Sequence, residues 1–178
     1  MIEQFYAASV AIHINGLSAR FYRREKMDLK NGNIELLGTV FGKDTTPEDI
    51  LKNTAIRASS ANKPNSKIES FYADGAIVDG IKFNVTIFFI SRKIDSIHMI
   101  PIDLEMPDPG YPNKEYQELR KKTCDAFLLR ALGEPTDKDE TFTAYDYDWG
   151  EIVSVAFYEE RHDPYTGGYI DIIYNRKG

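Results

Sequence analysis

The chain has 178 residues, of which 42% are hydrophobic and 28% charged, and its formal net charge is −6. This length suits one substantial domain, and the ordinary balance of apolar and charged residues excludes wholesale disorder. The only cysteine is Cys124, which excludes an intramolecular disulfide, so nothing in the sequence calls for an oxidising compartment.

The first predicted elements form a β-meander. Apolar residues alternate on both sides of Asn15-Gly16, which is a strong hairpin signal because both turn residues must accept positive φ. A second such pair, Asn31-Gly32, precedes a predicted strand over 34–41. A short helix then begins with Thr46 as N-cap and is predicted to end near Ser59. Three strands are predicted after it, over 67–73, 81–91 and 94–102.

Residues 107–112 hold three prolines and a glycine and are predicted to be a linker. A long helix is predicted from Asn113 to Leu132, since Gly133 and Pro135 prevent its continuation. Its predicted apolar stripe consists of Tyr116, Leu119, Thr123, Phe127 and Ala131, with Cys124 and Leu128 beside it. Three more strands follow over 141–149, 151–158 and 168–174, with Gly167-Gly168 as a turn.

The order of one helix followed by three strands therefore occurs twice in the chain. It predicts an α+β fold with an antiparallel sheet and two helices, preceded by the N-terminal β-meander. The expected organisation is a single compact domain over 1–178, with sub-halves at 1–106 and 113–178 on either side of the 107–112 linker.

Charge is unevenly distributed along the chain. Residues 1–100 carry 13 basic and 11 acidic side chains, whereas residues 101–178 carry 9 and 17. A nucleic-acid-binding protein needs the opposite sign, because neutralised phosphates supply most of its affinity. An acidic surface favours a basic protein partner, although it can also serve only to keep a protein soluble.

No motif of a common enzyme class occurs in the sequence. The nucleophile elbow, the phosphate-binding loop and the dinucleotide fingerprint are all missing, and His13, His98 and His162 are too far apart in sequence to suggest a metal site. Cys124 is interpreted as a small buried residue. The sequence therefore predicts no cofactor, no metal and no catalytic residue. An active site assembled from scattered residues stays open, as a pocket between sheet and helix involving His98 or Cys124.

The expected compartment is the cytoplasm. The N-terminus lacks the basic start of a secretory signal, and the longest apolar run, Val85 to Ile90, is far too short to cross a bilayer. No membrane partner is expected.

The segment 141–149 suggests a binding surface. Strand alternation places Tyr145, Tyr147 and Trp149 on one face, which is predicted to be the core face together with Val153 and Val155. The other face is predicted to bind a protein through tyrosine side chains and negative charge, although a solvated face without a partner is the alternative. An error of one residue in register would exchange the faces. The predicted partner-binding residues are Asp146, Asp148, Ser154, Tyr158, Tyr169 and Asp171.

Residues 113–174 resemble the β-lactamase-inhibitor-protein-like domains, which include the small outer-membrane lipoproteins of the SmpA/OmlA type. The shared features are a helix ending in Leu132-Gly133-x-Pro135, an aromatic strand with Tyr145 and Trp149, and a β-meander. The resemblance implies two helix-plus-sheet repeats that share a concave sheet and grip an enzyme. The chain departs from it by having no lipid-anchor cysteine near the start and no disulfide pairs, so secretion and β-lactamase binding are not expected.

In its size, acidity and lack of catalytic motifs the chain is also similar to bacterial immunity proteins, which neutralise a cognate toxin by covering it. The sequence thus predicts a non-catalytic inhibitor or immunity protein that masks a basic partner. Its oligomeric state is left open, and edge-strand pairing in a homo-oligomer is a further alternative.

Overall fold

The computed structural model describes residues 27–28, 31–63, 66–105, 113–156 and 167–174. These residues form two antiparallel sheets and two helices, so the predicted α+β class is confirmed. The predicted meander before residue 27 and the predicted linker 107–112 lie outside the described residues. The elements are β1 (Met27–Asp28), β2 (Asn33–Leu36), β3 (Thr39–Phe41), α1 (Pro47–Leu51), β4 (Arg57–Ala58), β5 (Ile68–Val78), β6 (Ile81–Ile90), β7 (Lys93–Ile102), α2 (Lys114–Leu132), β8 (Asp137–Lys138), β9 (Phe142–Tyr147), β10 (Gly150–Val155) and β11 (Tyr169–Tyr174).

The large sheet has eight strands in the order β4-β5-β6-β7-β11-β10-β9-β8, and the small sheet has the order β1-β2-β3. Each half of the chain contributes a two-residue edge strand and a meander of three longer strands to the large sheet. The third strands of the two meanders, β7 and β11, pair at the centre, where Ile97 lies opposite Ile172. The two copies of the predicted pattern thus build one continuous sheet.

A single apolar core lies on one face of the large sheet. Alternate side chains of β5, β6, β7, β10 and β11 point into it, and α1, α2 and the small sheet cover them. Burying one such side chain stabilises the fold by about 1.5–3 kcal/mol. Fully buried members include Ile34, Leu36, Phe41, Ile50, Phe83, Ile87, Phe89, Ile97, Met99, Cys124, Leu128, Ile152, Ile170 and Ile172.

The small sheet corrects the predicted strand over 34–41. The chain turns back between β2 and β3, and both turn residues, Leu37 and Gly38, have positive φ of 52° and 76°. This geometry is that of a tight two-residue hairpin turn. The prediction was wrong because a leucine rarely occupies such a position, so the Leu-Gly pair did not signal a turn.

The first helix is shorter than predicted. It begins as expected with Thr46 as N-cap in a capping box with Asp49, but it ends at Leu51 rather than near Ser59. The side-chain amide of Asn53 donates to the carbonyl oxygen of Leu37 at 3.0 Å and to Thr39 Oγ1 at 2.8 Å. These bonds to the β2–β3 hairpin turn the chain away from the helix axis.

The second helix has the predicted bounds, with Asn113 as N-cap and Gly133, at φ +89°, as C-cap. Its buried stripe differs from the prediction, because Leu119 and Thr123 are half-buried and Ala131 is exposed. The buried side chains are Tyr116, Gln117, Arg120, Lys121, Cys124, Phe127 and Leu128. Lysine and arginine side chains are uncommon in protein cores, so the sequence did not predict that polar residues of α2 are buried. Among the described residues no helix is long and apolar enough to cross a membrane.

The buried ammonium group of Lys121 on α2 is paired with its neighbours. The Lys121 ammonium donates hydrogen bonds to both oxygens of Asp125 at 2.7 Å and to Thr143 Oγ1 at 3.0 Å, so the charge is paired.

The glycine pair before β11 passes directly over the helix. A Cβ on Gly168 would lie 2.7 Å from the carbonyl oxygen of Gln117, so only glycine permits this approach.

Candidate functional site

The open face is the face of the large sheet turned away from the core. The described helices and the small sheet pack on the opposite face, so among the described elements nothing forms a second layer over it. Cross-strand register aligns its side chains in rows that run across β9, β10, β11 and β7. Its members on these four strands are Phe142, Ala144, Asp146, Glu151, Val153, Val155, Tyr169, Asp171, Ile173, Ser96, His98 and Ile100.

Three of the predicted partner-binding residues share the open face. Asp146 lies on β9 and is exposed, and Tyr169 and Asp171 lie on β11 and are half-buried. Asp148 is exposed in the turn between β9 and β10, at the rim of this face. Tyr158 lies outside the described residues.

The predicted position of Ser154 is wrong. Ser154 lies opposite Thr143 and Ile170 on the core side of β10, where it is fully buried. Its neighbours on the open face are instead Val153 and Val155, which the sequence analysis assigned to the core. The valines were assigned to the core because they are apolar, and the serine to the open face because it is polar. A small side chain nevertheless fits beneath a closely packed helix, and β-branched residues suit either face of a strand.

The centre of the open face holds a histidine–carboxylate pair. His98 on β7 lies directly opposite Asp171 on β11, and His98 Nδ1 is 2.8 Å from Asp171 Oδ1. The two side chains are 20% and 24% exposed, so they are partly shielded yet within reach of a partner. The sequence places His98 in a predicted strand and offers it as a pocket candidate, but nothing local predicts its pairing with a residue 73 positions away.

Tyr169 completes this central cluster. Its ring centroid lies 4.2 Å from that of His98, with the planes tilted by 42°. Burial, and secondarily the negative charge of Asp171, raises the pKa of the Tyr169 phenol. The hydroxyl is therefore neutral at physiological pH and is able to donate a hydrogen bond. The three residues together present an aromatic surface, an imidazole and a carboxylate at the middle of the sheet.

A row of acidic side chains borders the cluster. Asp146 and Glu151 are direct cross-strand partners on β9 and β10, and neither forms an ion pair with a described basic residue. Like charges placed directly opposite one another destabilise a sheet. Over 137–156 and 167–174 the chain has seven acidic residues and one basic residue, Lys138. These described ranges therefore carry an excess of negative charge, and a cation placed over the row of Asp146 and Glu151 would relieve the repulsion.

The described residues also form a cleft of about 470 Å³. It lies between the β2–β3 hairpin and the side chains of Trp149 and Tyr174, and neither His98 nor Cys124 lines it. Tyr147 stacks on the Trp149 indole at 5.3 Å, while Gly32 lies against the same side chain. Through these contacts, the aromatic side chains of the cleft hold the hairpin against the large sheet.

Neither a thiol nucleophile nor a metal centre is assembled in the described part of the chain. Cys124 is fully buried, and desolvation, followed by the charge of Asp125, raises the pKa of its thiol far above the usual range. The reactive thiolate is therefore disfavoured. No three His, Cys, Asp or Glu side chains among the described residues are grouped to hold a metal ion.

Comparison of the chain with protein-family models, with curated proteins and with solved structures finds no match. The candidate site is therefore defined by its own geometry. It is a sheet surface that no other described element covers, with a histidine–tyrosine–aspartate cluster at its centre and an acidic row on one side.

Proposed function

We propose that this chain is a non-catalytic protein-binding module whose open face masks a basic surface of another protein, in the manner of an inhibitor or immunity protein in the bacterial cytoplasm. The observation that carries the proposal is the cross-strand pair of Asp146 and Glu151, two carboxylates that repel each other until a cationic group lies over them. Placing such a pair on a sheet surface costs stability in the free protein and gains energy only in a complex.

The side chains around the acidic row supply the other part of an interface. Phe142, Val155 and Tyr169 lie side by side across three neighbouring strands and are all half-buried. Interfaces place aromatic and apolar side chains at the centre and polar groups at the rim, and tyrosine is enriched where binding energy concentrates. The row of Phe142, Val155 and Tyr169 is suited to hold a bound partner, and the acidic row is suited to speed the association of a basic partner.

The dimensions of the sheet also suit this role. The six longer strands, spaced about 4.8 Å apart, span roughly 29 Å, and six residues of strand extend about 20 Å. The resulting area, on the order of 600 Å², is most of the roughly 800 Å² that one partner contributes to a standard protein–protein interface. This is the sheet-mediated mode of binding that the family resemblance implies.

Site-specific photo-crosslinking tests the proposal. A photoreactive phenylalanine analogue at Val155 lies on the open face, and the same analogue at Lys122, exposed on α2, is the matched control on the other side of the molecule. We expect the Val155 protein to crosslink a basic protein in source-cell extract, and the purified pair to bind again. Equal crosslinking at both positions, or none at Val155, would contradict the proposal.

A further inference from the structure

On the open face, the pair of His98 and Asp171 places an ionisable imidazole beside a carboxylate. The proposed function does not depend on this ionisable group. The pair lies where β7 and β11 meet, at the centre of the eight-stranded sheet. His98 Nδ1 and Asp171 Oδ1 are 2.8 Å apart, and both side chains are partly exposed. A protein seated on the open face would therefore cover this pair.

Imidazole is the side chain whose charge changes between about pH 5 and about pH 8. Among the residues that the structure describes, the titratable groups facing His98 are Asp171 and Tyr169, both from β11. From β6 the direct neighbour is Thr86, which carries no charge. Because the Tyr169 phenol is neutral, the net charge of the cluster is −1 when His98 is neutral and zero when it is protonated.

We propose that His98 makes binding through the open face pH-sensitive: a neutral imidazole leaves the Asp171 carboxylate available to a cationic group of the partner, and a protonated one neutralises it. This inference rests on the proposed function, since it concerns the same surface and the same basic partner. The protonated imidazole and a partner cation compete for one carboxylate, so protonation of His98 and binding of the partner weaken each other.

The protein captured through Val155 serves as the probe. We expect its affinity for the wild-type chain to be about fivefold or more higher at about pH 8 than at about pH 5. His98→Gln keeps a hydrogen-bond donor beside Asp171 but holds no charge, so its affinity should not vary over this range. His98→Lys holds a positive charge at every pH and should bind weakly throughout.

Reciprocity supplies a second readout on the wild-type protein. Binding should release protons, measured by calorimetry in buffers of different ionisation enthalpy, and His98→Gln should release none. Affinity that is high but independent of pH in the wild type, or a pH dependence that persists in His98→Gln, would overturn the switch while leaving the proposed function intact. Absence of binding at every pH would overturn both.

Discussion

Gly32 lies against the indole of Trp149, so that a Cβ on Gly32 would be 2.7 Å from Trp149 Cδ2. The carbonyl oxygen of the same glycine accepts a hydrogen bond of 3.1 Å from the Tyr174 hydroxyl. Through these contacts, between residues 117 and 142 positions apart in sequence, the small sheet is fixed where β10 begins and β11 ends. The β2–β3 hairpin is thereby part of the same core as the sheet that carries the open face.

Gly32→Ala should destabilise the protein, because the added methyl meets the indole and because Gly32 has φ +71°. Gly38→Ala is the matched control, with φ +76° and no atom within 4 Å of the added Cβ. Backbone strain costs each variant about 1–2 kcal/mol, and overpacking should add about 1–3 kcal/mol at Gly32 alone. Urea unfolding followed by the fluorescence of Trp149, the only tryptophan, measures both. Equal losses would show that the indole moves aside freely.

The capping box of α1 should make stability depend on pH in acid. The Lys52 ammonium and then the hydroxyl and amide of Thr46 lower the pKa of Asp49 from 3.8 to about 2. Because the folded pKa is below the unfolded one, this stabilisation is complete above about pH 4 and is lost as the pH falls through about 2. Thermal unfolding midpoints of wild type and Asp49→Asn should therefore differ at neutral pH and approach each other toward pH 2. A difference that stays constant would contradict the assignment.

Cys124 should be unreactive in the folded protein. Its thiol is buried under α2 and its pKa is raised by desolvation, so a thiol reagent must wait for the protein to open. For an ordinary domain stability this makes modification at least about a thousandfold slower than in denaturant. Absorbance of a chromogenic disulfide reagent follows the reaction. Rapid modification of the native protein would show that the thiol is accessible.

Ser154→Ala should leave stability unchanged or raise it by up to about 1 kcal/mol. The hydroxyl of Ser154 is fully buried and has no hydrogen-bond partner in the described structure, so its removal relieves an unsatisfied polar group. Chemical unfolding measures the change, and partner binding should be unaffected because the residue lies on the core side. A loss of more than about 1 kcal/mol would mean that the hydroxyl has a partner.

Local sequence signals predicted α2 well, because Asn113, Gly133 and Pro135 mark its ends and capping is a short-range property. Alternation predicted the existence of the longer strands of both meanders, but the strand predicted over 67–73 extends to Val78, past a register shift between Ala73 and Ala76. The local signals placed Ser154 on the wrong face, since alternation gives two faces but not which of them a helix covers. The His98–Asp171 pair depends on how two distant strands pair, and that information is not local in the sequence.

The proposal that the partner binds the open face is tested most directly by charge reversal on opposite sides of the molecule. Asp146→Lys/Glu151→Lys changes the acidic row, and Glu115→Lys/Glu134→Lys makes the same change in net charge at exposed positions on the α2 side. Stopped-flow association with the captured partner should slow by about tenfold or more at low salt for the first variant and change little for the second. Equal slowing in both variants, or none in the first, would show that the partner does not bind the open face.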